Sequence, residues 1–331
     1  IERHLDRVAR TLGLDPMELR RKNLLRLGDT TSTGQTLKES VGVEECVEKA
    51  MAASAYPEKR SRGPVVTGRV ARGIGASVFL HGAGFTGSGE KYLKGKVAVD
   101  LLPGGRARVR TASTDIGQGT ETVFRQIAAG ALGVGMDAVD FAVPSTKSVP
   151  DSGPTVASRT VMVVGSIVER AAKDLLARVA DEAKLRGLSP AAAWDRLAAD
   201  PERATALVQY EPPPDVSWDD ATYSGDAYPA YGWACDVAEV EVDLDTFETK
   251  VTGFWAAVDV GRALNPKLCA GQVEGGTLQA IGWALTEKLV TRDGKILNPR
   301  MTNYIVPTSL DAPPFETMLV EAPYSHGPGG A

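Results

Sequence analysis

Apolar residues at helical spacing mark the first part of the chain. They recur every three or four positions over residues 5–12, which predicts an amphipathic helix. Asp15 and Pro16 predict the start of a second helix, because Asp suits the N-cap and Pro the first helical position. We expect Ser40 to cap a third helix with an apolar face over residues 43–51. The basic, proline-containing stretch 58–64 then predicts a linker.

Hairpins and helices alternate after this stretch. The patterns predict strands over residues 74–80, 96–102, 107–112, 235–242 and 249–258. They predict helices over residues 120–132, 156–186 and 267–285, and a shorter helix from Ser189. Residues 200–230 have the composition of a loop. The fold class predicted is α+β, with mixed hairpins and helices and no regular βαβ alternation.

Composition narrows the classes of protein that fit. The 331 residues are 43% hydrophobic and 24% charged with a net charge of −5, which is typical of a globular protein and gives no basic face for nucleic acid. No apolar run reaches the length of a membrane span. Cys46, Cys235 and Cys269 share no short spacing that would suit zinc or an iron–sulfur cluster. Free thiols suit a reducing compartment, and we expect a cytoplasmic protein.

The first candidate for chemistry is the segment Asp115-Ile116-Gly117-Gln118-Gly119-Thr120 between a predicted strand and a predicted helix. Its glycines would let backbone N–H groups approach a ligand, and the helix N-terminus favours an anion. The amide of Gln118 can donate and accept, which suits the edge of a heterocycle. The segment is neither a Rossmann fingerprint, because position 122 is Thr, nor a P-loop. A tight turn with an N-cap is the alternative.

A second candidate spans residues 151–160. Hydroxyl side chains at Thr155, Ser158 and Thr160 surround the small Ala157 before a long apolar helix. One hydroxyl is enough for an N-cap, so three suggest a helix end that faces a ligand. A capping cluster with two solvated hydroxyls is the alternative reading.

The third candidate is the glycine-rich helix over residues 267–285, which follows Asn265 and Pro266. Each glycine inside a helix costs about 1 kcal/mol relative to alanine, and this helix has four. Close helix packing would explain Gly275, Gly276 and Gly282. It does not explain Gln272, which we regard as a candidate ligand contact.

Together and in this order, the segments resemble the molybdopterin-binding subunit of the xanthine dehydrogenase and aldehyde oxidase family of molybdenum hydroxylases. The similar segments are Asp-Ile-Gly-Gln-Gly-Thr-Glu-Thr (115–122), Pro-Thr-Val-Ala-Ser-Arg-Thr (154–160), Val-Asp-Val-Gly-Arg (258–262) and Gly-Gln-Val-Glu-Gly-Gly (271–276). Residues 2–23 and Gly-Gln-Thr-Leu (34–37) also resemble the family. The resemblance covers nearly the whole chain. It implies residues 1–63 as the helical tail of a first molybdenum-cofactor domain with a linker, and 64–331 as a second, incomplete one.

The resemblance implies which residues bind the cofactor, molybdopterin or its cytosine dinucleotide form with molybdenum. They are Ile116, Gly117, Gln118, Gly119, Thr120, Thr155, Val156, Ala157, Ser158, Thr160 and Gln272. The glycines and Gln118 would contact the pterin and its phosphates, and the hydroxyls would bind the pyrophosphate or the nucleotide. Ala157 would lie near the molybdenum and leave room for substrate. In this family the pterin dithiolene holds the metal, so no side chain need ligate it.

Three departures limit what the resemblance implies. Many relatives carry His where this chain has Glu121. The family's catalytic Glu follows a Gly-Pro-Gly-Gly-Ala-like segment, so we expect it a few residues beyond Ala331 and assign no catalytic residue here. The family's substrate-facing glycine-rich loop would lie before Ile1. The chain alone is therefore expected to lack turnover.

The function predicted is the cofactor-binding part of a hydroxylase that inserts water-derived oxygen into an aromatic N-heterocycle, purine- or nicotinate-like, or into an aldehyde. The resemblance implies iron–sulfur clusters and FAD on partner domains or subunits, and the N-terminal half of the molybdenum subunit as a further partner. A non-catalytic nucleotide-binding or assembly module is the alternative. A nicotinamide-dependent dehydrogenase is disfavoured by the absent third Gly and the lack of βαβ order.

Overall fold

The computed structural model describes residues 1–331. Helices are α1 (Glu2–Leu12), α2 (Pro16–Lys22), α3 (Val43–Ser54), α4 (Tyr56–Ser61), α5 (Gly89–Leu93), α6 (Thr120–Leu132), α7 (Ser166–Arg186), α8 (Pro190–Ala198) and α9 (Pro266–Leu285). A π-helical turn, Thr160–Gly165, precedes α7, and single 3₁₀ turns form at Met136–Ala138 and Pro328–Gly330. No helix is both long and apolar enough to cross a bilayer.

Thirteen strands form two larger sheets and two short ribbons. They are β1 (Val65–Thr67), β2 (Val70–Gly82), β3 (Lys96–Leu102), β4 (Arg106–Arg110), β5 (Val139–Phe141), β6 (Thr205–Gln209), β7 (Trp218–Asp219), β8 (Ser224–Gly225), β9 (Tyr231–Asp243), β10 (Thr249–Asp259), β11 (Thr291–Arg292), β12 (Lys295–Ile296) and β13 (Phe315–Val320). The larger sheets have the orders β1-β2-β9-β10-β13 and β5-β4-β3-β6.

The five-stranded sheet is antiparallel except at one edge, where β13 runs parallel to β10. Helices α2, α3 and α4 pack on one face of it. Their apolar side chains share one core with those of the sheet, formed by Met17, Cys46, Val47, Ala50, Met51, Tyr56, Cys235, Val237, Ala257 and Val320. The predicted apolar face over residues 43–51 is thereby confirmed, since its five apolar positions are buried.

The four-stranded sheet packs against α6, α7 and α8. Strand β3 buries Val97, Val99 and Leu101, the alternate positions that point toward these helices. Phe124 of α6 and Ile167 of α7 are fully buried against them in the largest core of the chain. Strand β5 runs parallel to β4, and α6 forms the crossover between the two strands.

The predicted fold class is confirmed: helices are interleaved with hairpins, and both larger sheets are mixed. Strand β3 and helix α6 have the predicted bounds, and β9 and β10 form the predicted hairpin. Two parallel crossovers, β4–α6–β5 and β10–α9–β13, were not predicted. The sequence pattern did not predict them because their second strands are short: β5 has only three residues and β13 only six. Strand β6 was also missed within the stretch predicted as loop.

Three local predictions were wrong. Ser40 does not cap α3; its hydroxyl donates to the carbonyl of Ala322, and the helix begins after Gly42. The predicted linker is helical through Ser61, because α4 continues the packing of α3 on the sheet. The helix predicted from residue 156 begins only at Thr160, because the preceding residues form a left-handed turn.

Candidate functional site

One cleft of about 450 Å³ is lined by the ends of β2, β9 and β10 together with residues of α6 and α9. Gln118 reaches it from the start of α6, Ser158 from the loop before the π-helical turn, and Gln272 from α9. Its apolar lining includes Val123, Met162, Leu264 and Leu268. The three candidate segments, far apart in sequence, therefore meet at one surface, as the resemblance implied.

Residues 114–120, here called the Gly-Gln-Gly loop, are organised around Asp115. Its carboxylate accepts hydrogen bonds from the backbone N–H groups of Gly117, Gly119 and Glu121 at 2.8, 3.4 and 3.1 Å. These hydrogen bonds, with that of Gly117 foremost, lower the pKa of Asp115. The N-terminal end of α6 thus already carries a negative charge, as helix ends favour. From the sequence we expect these amides to approach a ligand and assign no role to the carboxylate of Asp115.

The side chain of Gln118 braces the same loop. Its Oε1 accepts from the backbone N–H of Ile116 at 2.6 Å, and its Nε2 donates to the carbonyl of Thr114 and to Oγ1 of Thr120 at 2.9 and 2.8 Å. The amide is therefore satisfied by its own loop while it lines the cleft.

Residues 154–160, here called the hydroxyl loop, contain two successive non-glycine residues in the left-handed region. Ala157 has φ 58° and Ser158 has φ 52°, a conformation that costs about 1–2 kcal/mol per residue. Thr155 joins the two loops, because its Oγ1 accepts from the backbone N–H of Thr114 at 3.0 Å. Ser158 is exposed to the cleft, and its hydroxyl has no hydrogen-bond partner in the chain.

A buried ion pair lies behind the hydroxyl loop. Arg159 is 0% exposed, and its Nε and Nη2 each donate to the Glu90 carboxylate at 2.8 Å. Its Nη1 donates to the carbonyls of Ser152 and Pro154 at 2.7 and 3.1 Å. We did not single out Arg159 or Glu90 from the sequence; a charged residue beside hydroxyls before an apolar helix is the only local signal.

Helix α9 enters the site through its N-terminus. Asn265 caps it by accepting from the backbone N–H of Leu268 at 3.1 Å, and its Nδ2 donates to Gln126 of α6. Leu268 lies so close to the Gly-Gln-Gly loop that a Cβ on Gly119 would be 2.6 Å from its Cδ1. Gly119 also has φ 91°, so glycine is required there on both grounds.

Farther along α9, Gln272 lines the cleft and is exposed, with no hydrogen-bond partner in the chain. Of the glycines for which close packing was considered, only Gly282 is packed, since a Cβ added there would overlap the ring of Pro307. Gly275 and Gly276 have no atom within 4 Å of such a Cβ.

The floor of the cleft contains Asp259, which is 1% exposed at the end of β10. Its carboxylate accepts from the backbone N–H groups of Gly42, Gly261 and Ala322 at 3.0, 3.0 and 3.1 Å. Burial raises the pKa of Asp259, and these hydrogen bonds oppose that rise. Asp259 thereby ties α3 and the segment after β13 to the end of the hairpin.

The other predicted contacts do not line the cleft; they are Ile116, Gly117, Gly119, Thr120, Thr155, Val156, Ala157 and Thr160. Ile116 and Val156 are 84% and 51% exposed, Thr120 is buried at 2%, and Thr160 opens the π-helical turn. Lining residues that sequence reasoning missed include His81 and Cys269. His81 could have been noticed at the end of the strand β2, since strand ends often border sites. No cluster of three or more His, Cys, Asp or Glu side chains that could hold a metal ion is present.

Comparison with known proteins gives one consistent result. A family model described as a molybdopterin cofactor-binding domain matches residues 49–313. The chain is 28% identical to a probable xanthine dehydrogenase subunit of Bacillus subtilis (strain 168), over 97% of this chain and 44% of that protein.

Two solved structures share the fold along almost the whole chain. The aldehyde oxidoreductase from Desulfovibrio desulfuricans ATCC 27774 has a TM-score of 0.84 and 27% identity, over 100% of this chain and 35% of that one. Quinoline 2-oxidoreductase from Pseudomonas putida 86 has a TM-score of 0.78 and 28% identity, over 98% of this chain and 45% of that one. The chain thus spans less than half the length of each of these relatives.

Proposed function

The chain belongs to the molybdopterin cofactor-binding domains of the xanthine dehydrogenase family, as its motifs predicted, and from this premise we propose that its cleft binds the pterin of a molybdenum hydroxylase. The observation that carries the proposal is the meeting of Gln118, Ser158 and Gln272 at one cleft. Two of these side chains, Ser158 and Gln272, have free hydrogen-bonding capacity there.

The cleft suits a pterin in size and chemistry. Its volume of about 450 Å³ lies within the range of small-molecule sites, and its mainly apolar lining also contains polar side chains, among them those of Asp259 and Arg262. An amide and a hydroxyl can donate to and accept from a heterocycle edge or a phosphate. The backbone N–H groups of Gly117 and Gly119, unlike Ser158 and Gln272, already donate hydrogen bonds to Asp115. To bind the cofactor's phosphates, these two N–H groups would have to break those bonds and donate to the ligand instead.

When bound, the molybdenum cofactor would supply the two-electron oxidation and the oxygen-transfer chemistry. The residues of this chain would hold and orient it. Gln272 and Ser158 would bind it directly. Gln118 would hold the Gly-Gln-Gly loop in shape through its hydrogen bonds within that loop, and Leu268 would exclude water beside it. The general base, a glutamate that we place a few residues beyond Ala331, is also a proposal.

The substrate proposed for the whole protein is an aromatic N-heterocycle, purine- or nicotinate-like, or an aldehyde. The names of the xanthine and quinoline relatives support the first class, and that of the aldehyde oxidoreductase supports the second. We further propose iron–sulfur and FAD-bearing partner domains or subunits, the N-terminal half of the molybdenum subunit as a partner, and a cytoplasmic location. The division into residues 1–63 and 64–331 belongs to the same proposal.

The test is the cofactor content of the complete protein. Purified complex is expected to contain molybdenum and to release a fluorescent pterin on oxidation, and S158A/Q272A is expected to lower both. The control is T246A, on the hairpin between β9 and β10 outside the cleft lining. Complex without molybdenum or pterin would reject the proposal and favour a non-catalytic nucleotide-binding or assembly module. Changing the expected base to Gln should abolish hydroxylation while the pterin content stays unchanged.

A further inference from the structure

We propose that the buried Arg159–Glu90 pair is a positioning device that holds Ala157 and Ser158 in their left-handed turn and so aims Ser158 into the cleft. The inference rests on the proposed function, since the cleft is the cofactor site there. It assigns a role to two residues that do not themselves line the cleft.

The geometry of the turn is the first step. Ala157 and Ser158 both have positive φ, which lets Ser158 face the cleft while Arg159 enters the interior. Alanine and serine do not favour this conformation, so the surroundings must impose it. The next residues form a π-helical turn, in which the Arg159 carbonyl accepts from the backbone N–H groups of both Val163 and Val164.

The Arg159 side chain links the residues before the turn to α5. Its guanidinium holds the carbonyls of Ser152 and Pro154, which precede the turn, and pairs with Glu90 on α5. Glu90 is 3% exposed and also accepts from the backbone N–H of Phe85 at 3.3 Å. The planar guanidinium uses three nitrogens at once, a pattern that lysine cannot reproduce.

A second tie runs between the same two segments. The backbone N–H of Gly84 donates to the carbonyl of Ala157 at 2.9 Å. Residues 84–90 therefore hold the turn from one side at Ala157 and from the other through Glu90. Room for the guanidinium comes from Gly153, where an added Cβ would lie 3.1 Å from Nη1 of Arg159. The pair, the glycine and the strained turn form one unit behind Ser158.

The experiment uses the complete protein, purified with its cofactor, and the variants R159K and E90Q. We expect the pterin content per subunit of each variant to be at most one fifth of that of wild type. Hydrogen exchange over residues 155–165 should accelerate at least tenfold, while residues 166–186 of α7 keep their protection. E90Q preserves the shape of the side chain and one acceptor oxygen. If R159K is insoluble, pterin content and hydrogen exchange of E90Q alone test the positioning role.

A glycine rescue separates positioning from general stabilisation. Glycine adopts positive φ without strain, so A157G in the R159K background should restore at least half of the lost pterin. The matched control is A55G, because Ala55 is also an alanine at positive φ, φ 51°, but lies at the end of α3 away from the cleft. A55G should restore none. R110K provides a further control, since Arg110 forms a two-point pair with Asp100 outside the cleft lining.

The outcomes are distinguishable. Wild-type complex without pterin would reject the proposed function itself. If the wild-type complex contains pterin, and R159K and E90Q retain it with normal hydrogen exchange over residues 155–165, only the positioning role would be overturned. Equal rescue by A157G and A55G would also overturn it, because the pair would then act through overall stability.

Discussion

The Asp115 carboxylate accepts a hydrogen bond from the backbone N–H of Gly117 at 2.8 Å, so the start of α6 is already occupied by an anion from its own loop. A Gly-x-Gly segment at a helix start is usually read as an open anion site. In this chain the same amides donate hydrogen bonds to the carboxylate of Asp115. A phosphate at this helix end must therefore compete with Asp115 in charge and in hydrogen bonding.

Removal of that carboxylate should have a pH-dependent cost. D115A loses the hydrogen bonds to the helix start, and we expect about 1 kcal/mol of lost unfolding free energy at pH 7, the usual value for a helix cap. The pKa of Asp115 is lowered in the folded chain, so its stabilisation is present above its unfolded pKa near 3.8 and is lost as the pH falls through the folded pKa. Urea unfolding of wild type and D115A between pH 7 and pH 2.5 measures this. A difference that stays constant across that range would contradict the prediction.

Gly119 and Gly117 provide a matched pair for the packing of the loop against α9. Both have positive φ, but only Gly119 faces Leu268, whereas nothing lies within 4 Å of a Cβ on Gly117. We expect G119A to destabilise the chain by about 1–3 kcal/mol more than G117A, the usual cost of overpacking. Denaturant unfolding of the two variants gives the difference, and L268A should reduce it in the G119A background. Equal destabilisation by G117A and G119A would show that backbone strain alone matters.

Gln118 and Gln272 should separate structural from ligand-binding roles. Q118A breaks three hydrogen bonds within the loop and is expected to cost about 1–3 kcal/mol of unfolding free energy. Q272A removes an exposed side chain without partners and should stay within about 0.5 kcal/mol of wild type. Both should lower the pterin content of the complete protein under the proposed function. Unchanged pterin content in Q272A would remove Gln272 from the site.

Local patterns predicted the elements well where one periodicity was strong. The apolar run of β3 and the apolar face of α3 over residues 43–51 are both strong signals, and the structure buries the apolar positions 97–99 and 101 of β3 and that face of α3. The weaker elements β5 and β13 could not be predicted in the same way. Each is short and depends on a parallel partner that is brought alongside by a crossover helix.

The site was predicted less evenly than the fold. The meeting of Gln118, Ser158 and Gln272 follows from the family resemblance, since no local pattern relates segments so far apart. The left-handed turn at Ala157 and Ser158 could not be foreseen, because neither residue type favours positive φ. It depends on Arg159 and on Glu90, which lies 69 positions earlier in the chain.

Asp236 supplies a pH dependence opposite in sign to that of Asp115. It lies on β9 between Ser77 of β2 and Ala256 of β10, where burial raises its pKa from 3.8 to about 7. A carboxyl whose folded pKa is raised binds its proton more tightly in the folded state, so stability is full below about pH 4 and is lost as the pH rises toward 7. The loss corresponds to at most about 4 kcal/mol.

D236N replaces this carboxyl with a neutral group of the same shape and should remove the loss. We expect D236N to match wild type near pH 4 and to be more stable above pH 7, as measured by urea unfolding at several pH values. The control is D181N, which removes a carboxylate from an exposed position on α7. Because D181N does not touch the sheet, it should not reproduce the gain above pH 7. A gain that is equal at pH 4 and pH 8 would show that Asp236 acts through packing and not through its charge.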